Sequence, residues 1–209
     1  MEVVQIEAKS RELFGKKHTK ALRKEGLIPA IVYGGGDVTT ISLTARAVKP
    51  IVYTPNFKVA VINVGGQKLK CILKEIIFHP VTDEIVHIDF LKLIDGTPVK
   101  VEIPVSFKGK SPGVKEGGKL IPQLRKVKVK TLPEKMVDVL YVDISELDLG
   151  GSVRVKDLEV PEGMEVMVTP AMPVAIVEVP RALKSEAAEA ADEDETLDAA
   201  APTEEAAAE

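Results

Sequence analysis

The stretch FKVAVINV-GG-QKLKCILKEIIF, residues 57–78, holds two alternating apolar runs joined by Gly65 and Gly66. Alternation with a period of two puts every second side chain on one face, and a two-glycine joint supplies the positive φ angles of a tight hairpin turn. This is the clearest hairpin in the chain, and the same pattern recurs on both sides of it. Val4, Ile6 and Ala8 alternate within residues 2–9, PAIVY at 29–33 ends in three glycines, VTTISL occupies 38–43 and EIVHIDFLKL runs over 84–93. Each predicts a strand. Two interruptions carry helix formers. KHTKALRKE predicts a helix over about 17–25, stopped by Gly26 and Pro29. Thr44 is placed to cap a short helix through ARAVKPIVY, which Pro50 should kink or shorten.

Asp95-Gly96 and Pro98 form a turn after which the pattern restarts, so a domain boundary is expected there. The expected division is 1–94, 95–184 and 185–209. In the second segment TPVKVEIPVSF predicts a strand whose Pro104 suits an edge or a bulge. KGKSPGVKEGGK predicts a loop, QLRKVKVKT and VDVLYVDI strands, and SELDLGG a short helical turn. SVRVKDLEV, MEVMVT and PVAIVEV complete a mainly β half. Residues 185–209 contain ten acids, no Lys or Arg and one large apolar side chain, Leu197. Such a segment cannot bury enough apolar surface to offset its ordering entropy, so a disordered acidic tail is expected.

Charge is unevenly distributed. The chain has 209 residues and a formal net charge of −4. Residues 1–94 nevertheless carry 14 basic and 9 acidic side chains, and residues 95–184 carry 14 and 13. Seven of the sixteen residues from Lys9 to Lys24 are basic: Lys9, Arg11, Lys16, Lys17, Lys20, Arg23 and Lys24, against one acid, Glu12. On a helix Lys17, Lys20 and Lys24 share one stripe, and Lys16, Lys20 and Arg23 a neighbouring one. Unpaired like charges on adjacent turns repel, and an anion held across them relieves the repulsion. A nucleic acid is the commonest large anion, against the plainer alternative of a solvated helix face.

Other candidates are weaker singly. Tyr33 before Gly34-Gly35-Gly36 is placed to stack on a base or donate to a phosphate, or is simply a core tyrosine before a turn. No Gly-Lys-Ser/Thr follows the glycines, so they are not a nucleotide-hydrolase phosphate loop. His87 and Asp89 should share one face of their strand while Ile88 and Phe90 take the other. Lys74 extends that polar face from the hairpin. His79 and His87 lack metal-ligand spacing, so neither a metal nor a cofactor is expected. Cys71, the only cysteine, lies in an alternating run and reads as a core residue. The second half has no His and no Cys, hence no catalytic constellation. Its basic loop (Lys108, Lys110, Lys115, Lys119) and basic strand (Arg125, Lys126, Lys128, Lys130) can meet RNA or an acidic protein, or merely solvate a sheet face. No long apolar segment suggests a signal peptide or membrane span, so a cytoplasmic protein without membrane or small-molecule partners is expected.

Taken in order, Arg11, GK at 15–16, TKALRKEG at 19–26, IPAIVYGGG at 28–36, the hairpin, HP at 79–80 and HIDF at 87–90 resemble the bacterial large-subunit ribosomal proteins that bind 5S rRNA. VDVLYVDISELDLGGSVRVKDLEVPEG and the two-domain length are similar to the general stress protein CTC subfamily. The resemblance implies a closed six-stranded N-terminal β-barrel with short helices, a mainly β second domain, and a non-enzymatic role. It implies 5S rRNA as partner, around loop E, where a widened minor groove admits side chains that regular A-form RNA excludes. By matching motifs, Arg11, Lys16, Thr19, Lys20 and Arg23 would contact phosphates and groove edges, with Lys17 beside them. Tyr33, Lys74, His87 and Asp89 would lie on the barrel face. Lys74 stands near where many relatives carry Gln, and Thr19, Lys20 and Ala21 where they often carry Ser or Arg. The competing expectation is a stress-response module whose second domain and tail bind a protein. A tRNA anticodon-binding module is a third.

Overall fold

A computed structural model describes residues 2–180, so the expected acidic tail lies outside the described residues. The alternating runs of the first half form β1 (Val3–Ser10), β2 (Leu27–Gly34), β3 (Asp37–Thr44), β4 (Val59–Val64), β5 (Gln67–Phe78) and β6 (Ile85–Lys92). They close into a barrel in the order β1-β3-β2-β6-β5-β4. Closure leaves no open sheet edge. The joints β1–β4 (Val3↔Val59 to Ala8↔Val64) and β2–β6 (Ala30↔Ile88 to Tyr33↔Leu91) are parallel. The other four joints are antiparallel, including the hairpin, whose register runs from Val59↔Ile72 to Val64↔Gln67.

Inward positions fill the barrel with branched side chains around one aromatic. Ile6, Ile41, Leu43, Ile62, Ile88 and Phe90 are each at most 1% exposed. Gly65 and Gly66 turn the hairpin with φ of 56° and 94°, a pair of angles that side-chain-bearing residues rarely adopt. Cys71 is fully buried, and burial pushes its thiol up to about 11, so it is a neutral core side chain.

Two helices interrupt the strands, α1 (Lys16–Lys24) and α2 (Ala45–Val52). Thr44 does stand at the N-cap of α2, but its side chain makes no capping hydrogen bond. Pro50 lies inside this helix, which ends within three residues.

The second half supplies β7 (Val99–Lys108), α3 (Pro112–Lys115), β8 (Lys119–Pro122), β9 (Lys126–Thr131), β10 (Leu140–Asp143), β11 (Ser152–Arg154), β12 (Leu158–Glu159), β13 (Met164–Val166) and β14 (Pro173–Glu178). One sheet has the order β12-β10-β7-β9-β13, and a three-stranded sheet has the order β11-β14-β8. Contacts divide the chain into two compact units. Among the described residues, the first comprises those up to Phe107, Arg125–Val142 and Leu158–Pro170; the second comprises Lys108–Leu124, Asp143–Asp157 and residues 171–180.

Three local expectations change. Pro104 sits in β7, an interior strand rather than an edge. It occupies the last register pair with β9, opposite Lys126, and the next bond runs from the Val105 N–H to the Arg125 carbonyl. The strand expected over VDVLYVDI is confined to Leu140–Asp143, because the Asp138 carbonyl accepts from the Phe57 N–H instead of extending the ladder. SELDLGG is not helical. The Leu147 carbonyl accepts from both the Gly113 N–H and the Ser111 hydroxyl, so it is taken by the short α3 helix that forms where a loop was expected.

Candidate nucleic-acid interface

The basic segment begins as an irregular turn locked by its own side chains. The Arg11 backbone is held to β3: its N–H donates to the Thr40 carbonyl and its carbonyl accepts from the Thr40 hydroxyl. The Arg11 guanidinium donates to the Leu13 carbonyl at 2.8 Å and to the Thr19 hydroxyl at 2.9 Å. The Thr19 hydroxyl in turn donates to the Gly15 carbonyl at 2.9 Å. Arg11 and Thr19 therefore fix the entry of α1, a role their sequence pattern did not reveal.

Gly15 is the N-cap of α1 with φ of 105°, and no side chain caps the orphan N–H groups behind it. The first turn holds Lys16 and Lys17 and no acid. Positive charge at this end opposes the helix dipole, and an anion there reverses the conflict. None of the residues of α1 is buried, and Lys16, Lys17, Lys20 and Arg23 are all exposed. What ties the helix to the barrel is specific: Arg23 Nε donates to the Val86 carbonyl of β6 at 3.2 Å, one residue before His87.

On β6 the alternation places His87 and Asp89 outward, half-buried, with Ile88 and Phe90 in the core. His87 Nδ1 and Asp89 Oδ1 are 2.7 Å apart. Asp89 is in register with Ile31 of β2 and with Glu75 of β5. Tyr33, next along that face of β2, feels the same carboxylates. Burial, then the charges of Asp89 and Glu75, raise its phenol above the usual tyrosine value, so its hydroxyl remains a donor at neutral pH. Gly35, in the turn after Tyr33, has φ of 78°, and a Cβ there would stand 2.9 Å from the Ile94 side chain.

Tyr33, His87 and Asp89 thus share one polar wall, and Arg23 links it to α1. Lys74 is not drawn into that group. It is the extra residue of an irregularity in β5 between Leu73 and Glu75, and its ammonium donates to the Lys100 carbonyl of β7 at 3.2 Å. Glu75 is the neighbour that takes the place across from Asp89, and sequence reasoning missed it because a one-residue bulge shifts the alternation. Leu13 and Phe14 were missed as well. Each is 63% exposed, and the Arg11 guanidinium lies 5.8 Å from the Phe14 ring centre. Their signal was present: two large apolar residues in a basic segment that has no alternation to bury them. Among the described residues no group of three or more His, Cys, Asp or Glu could hold a metal ion, and no helix is long and apolar enough to cross a membrane.

Comparison with known proteins matches the sequence to two family descriptions. Residues 6–90 match the Ribosomal L25p family, and residues 98–181 match the C-terminal domain of ribosomal protein TL5. The large ribosomal subunit protein bL25 of Porphyromonas gingivalis is 42% identical over 189 residues, covering 90% of this chain and 98% of that protein. The chain belongs to the bL25 family. The bL25 protein of Cytophaga hutchinsonii is 38% identical over 191 residues (91% of this chain, 99% of the relative). That of Amoebophilus asiaticus is 37% identical over 190 residues (91% and 96%). The bL25 family consists of structural, non-enzymatic, ribosome-associated proteins of the cytoplasm.

Proposed function

We propose that the protein is a structural constituent of the large ribosomal subunit that binds 5S rRNA around loop E, with residues 1–94 as the binding domain. Family membership supports the ribosomal part. The hydrogen bond from Arg23 to the Val86 carbonyl carries the rest. It sets a helix with no buried residue, rich in Lys, against the strand that presents His87 and Asp89.

In this reading Lys16, Lys17, Lys20 and Arg23 neutralise phosphates and supply most of the affinity, while Tyr33, His87 and Asp89 meet the RNA groove. Asp89 and Glu75 are acceptors only. They repel phosphate and so favour base amino groups and 2′-hydroxyls at this wall. Arg11 and Thr19 hold the helix entry. Lys74, engaged with Lys100, contributes charge from one side and not a contact at the wall. Neighbouring ribosomal proteins are further partners.

The test is a gel-shift titration of 5S rRNA at physiological salt. Arg23→Ala and Lys16→Ala should each weaken binding, and each should reduce the salt slope by about one unit. Wild-type affinity in both variants removes the site assignment.

A further inference from the structure

A second charged surface adjoins the polar wall at Glu75 and is lined by none of the residues of α1. The end of α2, the β4 approach, β5, β7 and β9, all within the first compact unit, enclose an open groove of about 840 Å³. Five lysines line it, Lys58, Lys74, Lys100, Lys126 and Lys128, against two carboxylates, Glu75 and Glu102.

Little inside the protein consumes this charge. Lys58 is neutralised by Glu2 at 2.7 Å. Lys128 faces Glu102 at 3.7 Å, but both side chains are more than half exposed, and such a pair contributes little. Lys74 donates to a carbonyl, which leaves its charge uncompensated. Lys100 and Lys126 have no ion pair among the described residues.

The spacing is regular because β9 is regular. Val127 and Val129 are fully buried on one face, so Lys126 and Lys128 project together from the other, about 6.8 Å apart by strand geometry. That is of the order of the separation of successive phosphates along a nucleic-acid strand. Lys100 stands on the adjacent strand, two residues before Glu102, which is the register partner of Lys128.

We propose that this groove holds the phosphate backbone of an RNA segment separate from the one on the polar wall. Three features choose RNA over an acidic polypeptide. First, β5 belongs to a closed barrel and β7 and β9 are interior strands of their sheet, so an extended peptide would find no free strand edge among them, whereas a phosphate chain needs only point charges. Second, the lining contains lysine and no arginine, which suits sequence-independent contact with phosphate oxygens. Third, Glu75 lines the groove and also acts electrostatically on Tyr33, so the two surfaces adjoin at this residue. The inference rests on the proposed RNA-binding function for the class of ligand, but not for the identity of the RNA.

The test uses the full chain carrying Lys16→Ala and Arg23→Ala, with a short RNA duplex of arbitrary sequence as probe across a salt series. This background should retain weak, salt-dependent binding. Adding Lys100→Ala, Lys126→Ala and Lys128→Ala should reduce the salt slope by about 2 units and the affinity by roughly tenfold at low salt, with an unchanged melting temperature. The proposal is overturned by no residual binding in the first background, or by a slope the three substitutions leave alone. Loss of poly-glutamate binding with RNA binding intact also overturns it, and makes the groove an acidic-protein site. The preference of the otherwise wild-type chain for loop E RNA over the duplex should be the same with and without the three groove substitutions. Failure of that preference in the unsubstituted chain counts against the barrel-face reading and leaves the groove to stand on its own slope.

Discussion

The two helices of the barrel domain are nearly equal in length and opposite in purpose. Helix α2 buries Val48 and Ile51 and packs against β1 and β3. Helix α1 has no fully buried residue, lacks a side-chain cap and carries lysines at its positive end. A helix this short has little stability of its own and ordinarily depends on an apolar face docked on a core. Helix α2 follows that rule. Helix α1 is held by its locked entry, by half-buried Leu22 and by one arginine on a strand carbonyl. Its charges are poorly placed for the isolated protein and well placed for an anion. On the proposed function, the difference separates residues that maintain the barrel from residues that use it.

The largest effect expected from this contrast is on stability. Ile51→Ala removes a side chain that is 6% exposed and should destabilise the fold by about 2–5 kcal/mol in denaturant titration. The 5S rRNA affinity of the folded fraction should stay near wild type. Lys16→Ala with Arg23→Ala should show the reverse, a loss of affinity with a melting temperature close to the parent, since neither side chain is buried. A variant of α1 that lowered the melting temperature as much as Ile51→Ala would dissolve the distinction.

Hydrogen exchange gives an intermediate effect. Without a buried face or cap, the amides of α1 should exchange at least tenfold faster than those of α2 in the free protein. On adding 5S rRNA the α1 amides should slow and those of α2 should barely change. Equal protection of the two helices in the free protein would mean that the entry lock around Arg11 and Thr19 supplies more order than its few hydrogen bonds suggest.

The same contrast explains what was legible in the sequence. Strands of the barrel were readable because Ile6, Ile62, Ile88 and Phe90 alternate with outward residues, and α2 because Thr44 and Pro50 marked its start and its limit. Order among the strands was not readable this way: the parallel joints β1–β4 and β2–β6 leave no periodic trace, and closure came only through family resemblance. At the site, His87 and Asp89 were placed correctly by period two. Lys74 was not, since the irregularity at Leu73/Glu75 moves it out of phase and Lys100 captures its ammonium. Arg11 and Thr19 were legible as basic and polar residues near a helix start, but their bond to each other depends on how the chain bends over Leu13 to Gly15. In the second half, Leu147 shows the same limit: a tertiary donor pair from Ser111 and Gly113 occupies a carbonyl that local pattern assigned to a helical turn.

The smallest expected effect lies on the barrel wall and separates the two halves of the site. Tyr33→Phe removes one hydroxyl donor and should weaken 5S rRNA binding by about 0.5–1.5 kcal/mol, a few-fold to roughly tenfold. Because the phenol is neutral, the salt slope should not change, in contrast to Lys16→Ala and Arg23→Ala. The pH dependence has a definite sign. Ionised tyrosinate would lose its donor and repel phosphate, so wild-type affinity would fall toward that of the phenylalanine variant as the group titrates. Burial and the charges of Asp89 and Glu75 raise that titration above the ordinary value of 10.0. The ratio of wild-type to variant affinity should therefore be flat from neutral pH to about 9. A ratio that collapses below pH 9 would show that Tyr33 does not act as a neutral donor beside those carboxylates. A flat ratio of one would remove the Tyr33 hydroxyl from the binding surface and leave the wall's share to His87 and Asp89.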